Sequence, residues 1–137
     1  MSNFDTTLVK RPHLQEKYTD DQIQELAKCI KDPVYFMGNH CYIQHPVKGR
    51  VKFDLYDFQQ RLVNVYNDYR YAIALLPRQT GKSTAASAYL LWYAMFKPDS
   101  TILIAAHKYA GAFEIMTRLR FIYETLPDYI RAGCTSY

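Results

Sequence analysis

A nearly continuous apolar run, Tyr71 to Leu76 (YAIALL), leads through Pro77-Arg78-Gln79-Thr80 into Gly81-Lys82-Ser83-Thr84 and then an Ala- and Leu-rich stretch ending near Phe96. The apolar run has the pattern of a strand buried on both faces, and the Ala-rich stretch that of a helix. The loop between them therefore opens a helix. The first N–H groups of a helix lack intrahelical partners and point where the helix dipole is positive. Gly81 lets the backbone approach an anion and adopt conformations other residues resist. Lys82 adds a point charge suited to β- and γ-phosphates, and the Ser83 hydroxyl is a donor suited to Mg²⁺.

Gly-Lys-Ser is short, and the usual phosphate loop carries a glycine five residues before Gly81, where this chain has Leu76. The competing reading is an exposed turn with a capping serine. The strand-to-helix context favours phosphate. Arg78 is a second cation on the loop, read either as a γ-phosphate contact or as a surface ion pair. Gln59 lies upstream at a helix start. Its amide could pair with adenine, or it could sit on a solvated helix face.

The rest of the chain supplies a frame for this loop. Met1 to Tyr18 reads as a loose polar arm, with 19–137 as the folded part. Thr19 stands three residues before Gln22, a capping-box spacing, with Ile23, Leu26, Ala27 and Ile30 at helical intervals. Asp32-Pro33 should end that helix, and Tyr35 to Met37 reads as a short second helix or a turn. Cys41–Gln44 and Val51–Phe53 read as a hairpin joined through Pro46 and Gly49. Asp57 is expected to cap the next helix, with Gln60 three residues on. Thr101 to Ala106 (TILIAA) reads as another buried strand, followed by a helix with Ile115, Leu119, Ile122 and Leu126 on one face and Pro127 at its end.

The later order of strand, helix, strand, helix predicts an α/β fold with a parallel sheet and crossover helices, preceded by the small helical and hairpin segment. Two parallel strands are too few for a comfortable sheet, so the chain reads as a fragment or a truncated reading frame.

Composition constrains function less. A formal net charge of +4 without a dense Lys/Arg block is compatible with nucleic acid but does not demand it. Thirteen tyrosines suit cores, interfaces and base stacking alike. The three cysteines, Cys29, Cys41 and Cys134, read as free thiols of a reducing compartment. His40, Cys41 and His45 cluster in sequence but match no usual zinc spacing. No signal peptide or membrane span is expected, which predicts a soluble intracellular protein.

Several separated motifs carry a family resemblance. Asp32-Pro33-x-Tyr35-Phe36, Ile43-Gln44-His45-Pro46, Leu55-Tyr56-Asp57-Phe58-Gln59, Arg78-Gln79-Thr80-Gly81-Lys82-Ser83, Ala105-Ala106-His107-Lys108 and Leu126-Pro127-Asp128 fall in order from about Asp20 onward. Together they resemble the large terminase subunit of T-even-type tailed phages, the ATPase and nuclease that drives DNA into the capsid. The resemblance implies a RecA/helicase-like P-loop NTPase fold and a glycine-poor Walker A loop of normal type. It implies ATP and Mg²⁺ as cofactors, with Gln59 reading adenine, and Arg78, Gln79, Thr80, Gly81, Lys82, Ser83 and Thr84 as triphosphate contacts. Lys82 and Arg78 would be the catalytic cations and Ser83 the metal ligand.

The implied partners are double-stranded viral DNA, a portal protein and a small terminase subunit. The full-length motor would be a ring oligomer in the host cytoplasm, docked transiently at the procapsid portal vertex, with no membrane. The family's Walker B carboxylates, coupling motif and nuclease domain have no counterpart in these residues. Asp99, Glu114, Glu124 and Asp128 do not follow a hydrophobic strand as the catalytic carboxylate should. The 137 residues alone are therefore expected to bind nucleotide poorly and to hydrolyse little ATP, if any. The alternatives are a helicase-type ATPase fragment and a truncated, non-catalytic binding module.

Overall fold

The computed structural model describes residues 9–77 and 81–136. Helix α1, Asp20–Lys31, begins at the capping box read from the sequence. The Thr19 hydroxyl accepts the Gln22 N–H, and the Gln22 side chain accepts the Thr19 N–H. Asp32 closes α1 and caps α2, Pro33–His40, by accepting the Val34 N–H at 3.0 Å. Pro33 stands at the first position of α2, where its missing N–H costs nothing. That proline also leaves the Cys29 carbonyl of α1 without its usual donor four residues on. The indole N–H of Trp92 supplies the bond at 2.7 Å.

Strands β1, Tyr42–His45, and β2, Gly49–Lys52, form an antiparallel hairpin with Ile43 opposite Val51. The His45 Nδ1 accepts the Val47 and Lys48 N–H groups in its turn, and Gly49 takes a positive φ of 71°. Helix α3, Asp57–Asp68, starts at the expected cap residue itself. Tyr56 is its N-cap, and Gln59 rather than Gln60 folds back on it. Helix α4, Lys82–Phe96, is apolar nearly all round and packs against α2, α3 and α5 (Tyr109–Glu124). Ala85, Ala88, Leu91 and Trp92 of α4 join Phe36, Met37, Phe53, Val63 and Ile122 in one core.

The expected α/β fold, a partial RecA/helicase-like P-loop parallel sheet with crossover helices, is not what forms. Among the described residues the chain is mostly helical, and its strands are the two of the hairpin. Neither Tyr71 to Leu76 nor Thr101 to Ala106 is a strand. Ile73 is 100 % exposed, Leu75 96 % and Leu103 89 %. A strand depends on cross-strand pairing and on a surface that covers its faces, and two strands alone supply too little of either. The α4 helix finds its cover in other helices instead.

Residues 1–8 of the expected arm lie outside the described residues. Of the remainder, Val9 is buried, the Lys10 N–H donates to the Tyr123 hydroxyl at 3.3 Å, and the Lys10 carbonyl accepts the Cys134 N–H at 3.0 Å. No helix among the described residues is long and apolar enough to cross a membrane.

Candidate functional site

The first turns of α3 and α4 meet at Gln59 and Gly81. Gln59 is buried, at 3 % exposure, in the first turn of the amphipathic helix α3. Its Oε1 accepts the Tyr56 N–H at 2.9 Å, and its Nε2 donates to the Gly81 carbonyl at 3.2 Å. The amide thus ties the cap of one helix to the cap of the other. The same Gly81 carbonyl also accepts the Ala85 N–H, the first bond of α4. These two bonds use one N–H of the Gln59 amide and one lone pair of its Oε1.

Gly81 caps α4 in the left-handed region, with φ 78° and ψ 15°. A side chain there would be strained by the backbone alone. It would also collide with Gln59, because a Cβ at this position would lie 2.5 Å from the Gln59 Nε2. Glycine is therefore required twice over, once by torsion and once by the brace.

Lys82 is the first residue of α4, and its ammonium reaches back across the loop to the Leu76 carbonyl at 3.1 Å. The charge is thereby held beside the start of the helix. Ser83 and Thr84 follow in the first turn, both half-buried. The Ser83 carbonyl accepts the Ser87 hydroxyl at 2.7 Å. The Ser83 hydroxyl is a hard oxygen donor, the class Mg²⁺ takes alongside phosphate oxygens and water. Arg78, Gln79 and Thr80, also expected at the site, lie outside the described residues.

A cavity of about 530 Å³ opens beside Thr84, between the end of β1 (Gln44, His45, Pro46) and α5. That size lies within the range of sites for small molecules and cofactors. Arg118 of α5 borders it and donates to the Thr84 Oγ1 at 2.9 Å and to the Glu114 carboxylate at 2.8 Å. Sequence reasoning did not single out Arg118. The i,i+4 pair of Glu114 and Arg118 is visible in the sequence, but its anchor 34 positions away is not. His107 and Lys108 are exposed, with Lys108 at the N-cap of α5.

The structure therefore brings together Gln59, Gly81 and Lys82, with Ser83 and Thr84 in the same helical turn and a cavity alongside. Chemically, a helix start of this kind offers an anion backbone N–H groups and a positive dipole end, with the Lys82 ammonium beside it. Scanned against protein-family models, the chain matches none.

Proposed function

We propose that the chain binds Mg²⁺-ATP at the start of α4, as the nucleotide-binding front part of a viral terminase large subunit. The observation that carries the reading is the braced loop end. Gly81 adopts a left-handed conformation that the buried Gln59 holds from one side, while the Lys82 ammonium donates to the Leu76 carbonyl. An anion site of this kind draws on backbone N–H groups and one cation, and it does not require the parallel sheet that the described residues lack.

The triphosphate would lie against the first turn of α4, with Lys82 at the β- and γ-phosphates. Bound Mg²⁺ would neutralise phosphate charge, and the Ser83 hydroxyl would be its protein donor. The cavity beside Thr84 offers room for the remainder of the nucleotide. The order of motifs from Asp32 to Pro46 supports the terminase reading over a helicase one, which would share the glutamine motif and the loop. Coupling of hydrolysis to DNA packaging, with portal, small subunit and DNA as partners, is part of the same proposal.

The test is titration of the folded chain with a fluorescent ATP analogue and Mg²⁺. Saturable binding is expected, weakened about tenfold or more by Lys82→Ala, since one charge-assisted contact contributes roughly 1.5–3 kcal/mol. A folded chain without saturable binding, or a Lys82→Ala variant that binds equally well, would overturn the assignment. In a packaging assay with the assembled motor, Lys82→Ala should stop DNA translocation. A motor carrying that change and still moving DNA would remove the terminase role.

A further inference from the structure

Where α1 packs against α2, three potential metal ligands converge. Glu25 and Cys29 stand four residues apart on α1 and so share one face. His40, the last residue of α2, completes the group, and the three donor atoms all lie within 4.8 Å of one another. Glu25 Oε1 is 2.8 Å from His40 Nε2 and accepts the Tyr35 hydroxyl at 2.5 Å. Cys29 and His40 are buried, whereas Glu25 is partly exposed and leaves an approach from solvent.

We propose that Glu25, Cys29 and His40 bind a single zinc-class divalent ion, clamping α1 to the end of α2. The donor set is one sulfur, one imidazole nitrogen and one carboxylate oxygen. That mixture suits Zn²⁺ or Co²⁺ and disfavours Mg²⁺ and Ca²⁺. A thiolate, a carboxylate and a dication sum to zero, so the occupied site places no net charge in the core. Tyr35 is placed as the outer partner that orients the carboxylate. Tetrahedral ligands at zinc distances sit roughly 3.3 Å apart, so the Glu25–His40 pair has to open by only a few tenths of an ångström.

The alternative is an ion-free Tyr35–Glu25–His40 hydrogen-bonded group with Cys29 as a small apolar filler. The thiol separates the two. Cys29 is a buried free thiol, and only as a thiolate does it ligate a metal. Binding a metal must then release its proton.

Cobalt titration of the metal-stripped chain reads this directly. A near-ultraviolet thiolate-to-cobalt band should grow to one equivalent, release protons and be displaced by Zn²⁺. Cys29→Ala should abolish the band, and Cys134→Ser should retain it. Glu25→Gln should weaken binding about tenfold or more. A folded wild-type chain without the band, or a band that survives Cys29→Ala or disappears with Cys134→Ser, would overturn the site. Should Cys29→Ala fail to fold, wild-type melting decides: Zn²⁺ should raise the midpoint of the stripped chain, and an unchanged midpoint counts against the site.

Discussion

The Gln59 side-chain amide and the Gly81 carbonyl, 22 positions apart, are joined by a 3.2 Å hydrogen bond that locks the starts of α3 and α4 together. Replacing Gly81 by alanine attacks that contact from both ends. The left-handed backbone alone costs about 1–2 kcal/mol for a residue with a Cβ, and the new methyl displaces the Gln59 amide. Gly81→Ala should therefore lower stability by at least that amount in urea unfolding. The loss should be non-additive with Gln59→Ala, because removing the amide removes the collision. A double-mutant cycle should show coupling of about 0.5 kcal/mol or more. Strict additivity would show that the brace is not present in solution.

Gln59→Ala also separates two roles for one residue. As a brace, Gln59 satisfies the Tyr56 N–H and the Gly81 carbonyl, and losing two such bonds costs about 1–3 kcal/mol. As a reader of adenine, it discriminates ATP from GTP. If the braced amide also faces the base, Gln59→Ala should narrow the ratio of ATP to GTP affinity while sparing most of the triphosphate affinity. Equal ATP and GTP affinity in the wild-type chain would leave only the brace.

Trp92, the single tryptophan, reports on a different junction. Its indole N–H fills the vacancy that Pro33 creates at the Cys29 carbonyl. Trp92→Phe keeps most of the apolar volume but removes the donor, leaving a buried acceptor unpaired at a cost of about 1–3 kcal/mol. Trp92→Ala adds a cavity and should cost about 3–5 kcal/mol. If Trp92→Phe were as stable as wild type by urea unfolding, the carbonyl would have another partner.

Glu25 makes stability depend on pH. The Tyr35 hydroxyl, and next the His40 ring, favour the ionised carboxylate and hold its pKa below the usual glutamate value. A lowered folded-state pKa contributes stability above the ordinary carboxylate range. That contribution is lost as pH falls through the folded value. In the presence of a chelator, wild type should exceed Glu25→Gln in melting midpoint at pH 7. The gap should close progressively below about pH 4.3. A gap that widens on acidification would reverse the assignment.

What could be read from sequence follows the range of the interactions. The start of α1 was legible because Thr19 and Gln22 cap each other within one turn. Lys82–Phe96 was legible because Gly81 and Pro98 punctuate both ends of an Ala-rich stretch. The hairpin followed from Pro46 and Gly49. The Gln59, Gly81 and Lys82 positions were singled out, but the brace between the first two was not, since it depends on how α3 meets α4. Arg118 on Thr84 and the Glu25–His40 pair escaped for the same reason. Tyr71 to Leu76 and Thr101 to Ala106 misled most. Their β-branched and apolar residues state a preference for burial, but a preference names no partner, and helices α2, α3 and α5 occupy the surface of α4.

The exposure of those two runs gives the sharpest test of the fold. Ile73 and Leu103 are almost wholly open to solvent. A surface substitution away from special contacts changes stability by no more than about 0.5 kcal/mol. Ile73→Lys and Leu103→Lys should therefore leave the urea midpoint nearly unchanged. They should also reduce self-association at high concentration, because they break exposed apolar patches. Were both residues instead packed inside a sheet, each change would bury an unpaired charge and be strongly destabilising. Sedimentation together with urea unfolding of the two variants distinguishes these cases, and a loss of several kcal/mol in either variant would return the apolar runs to the interior.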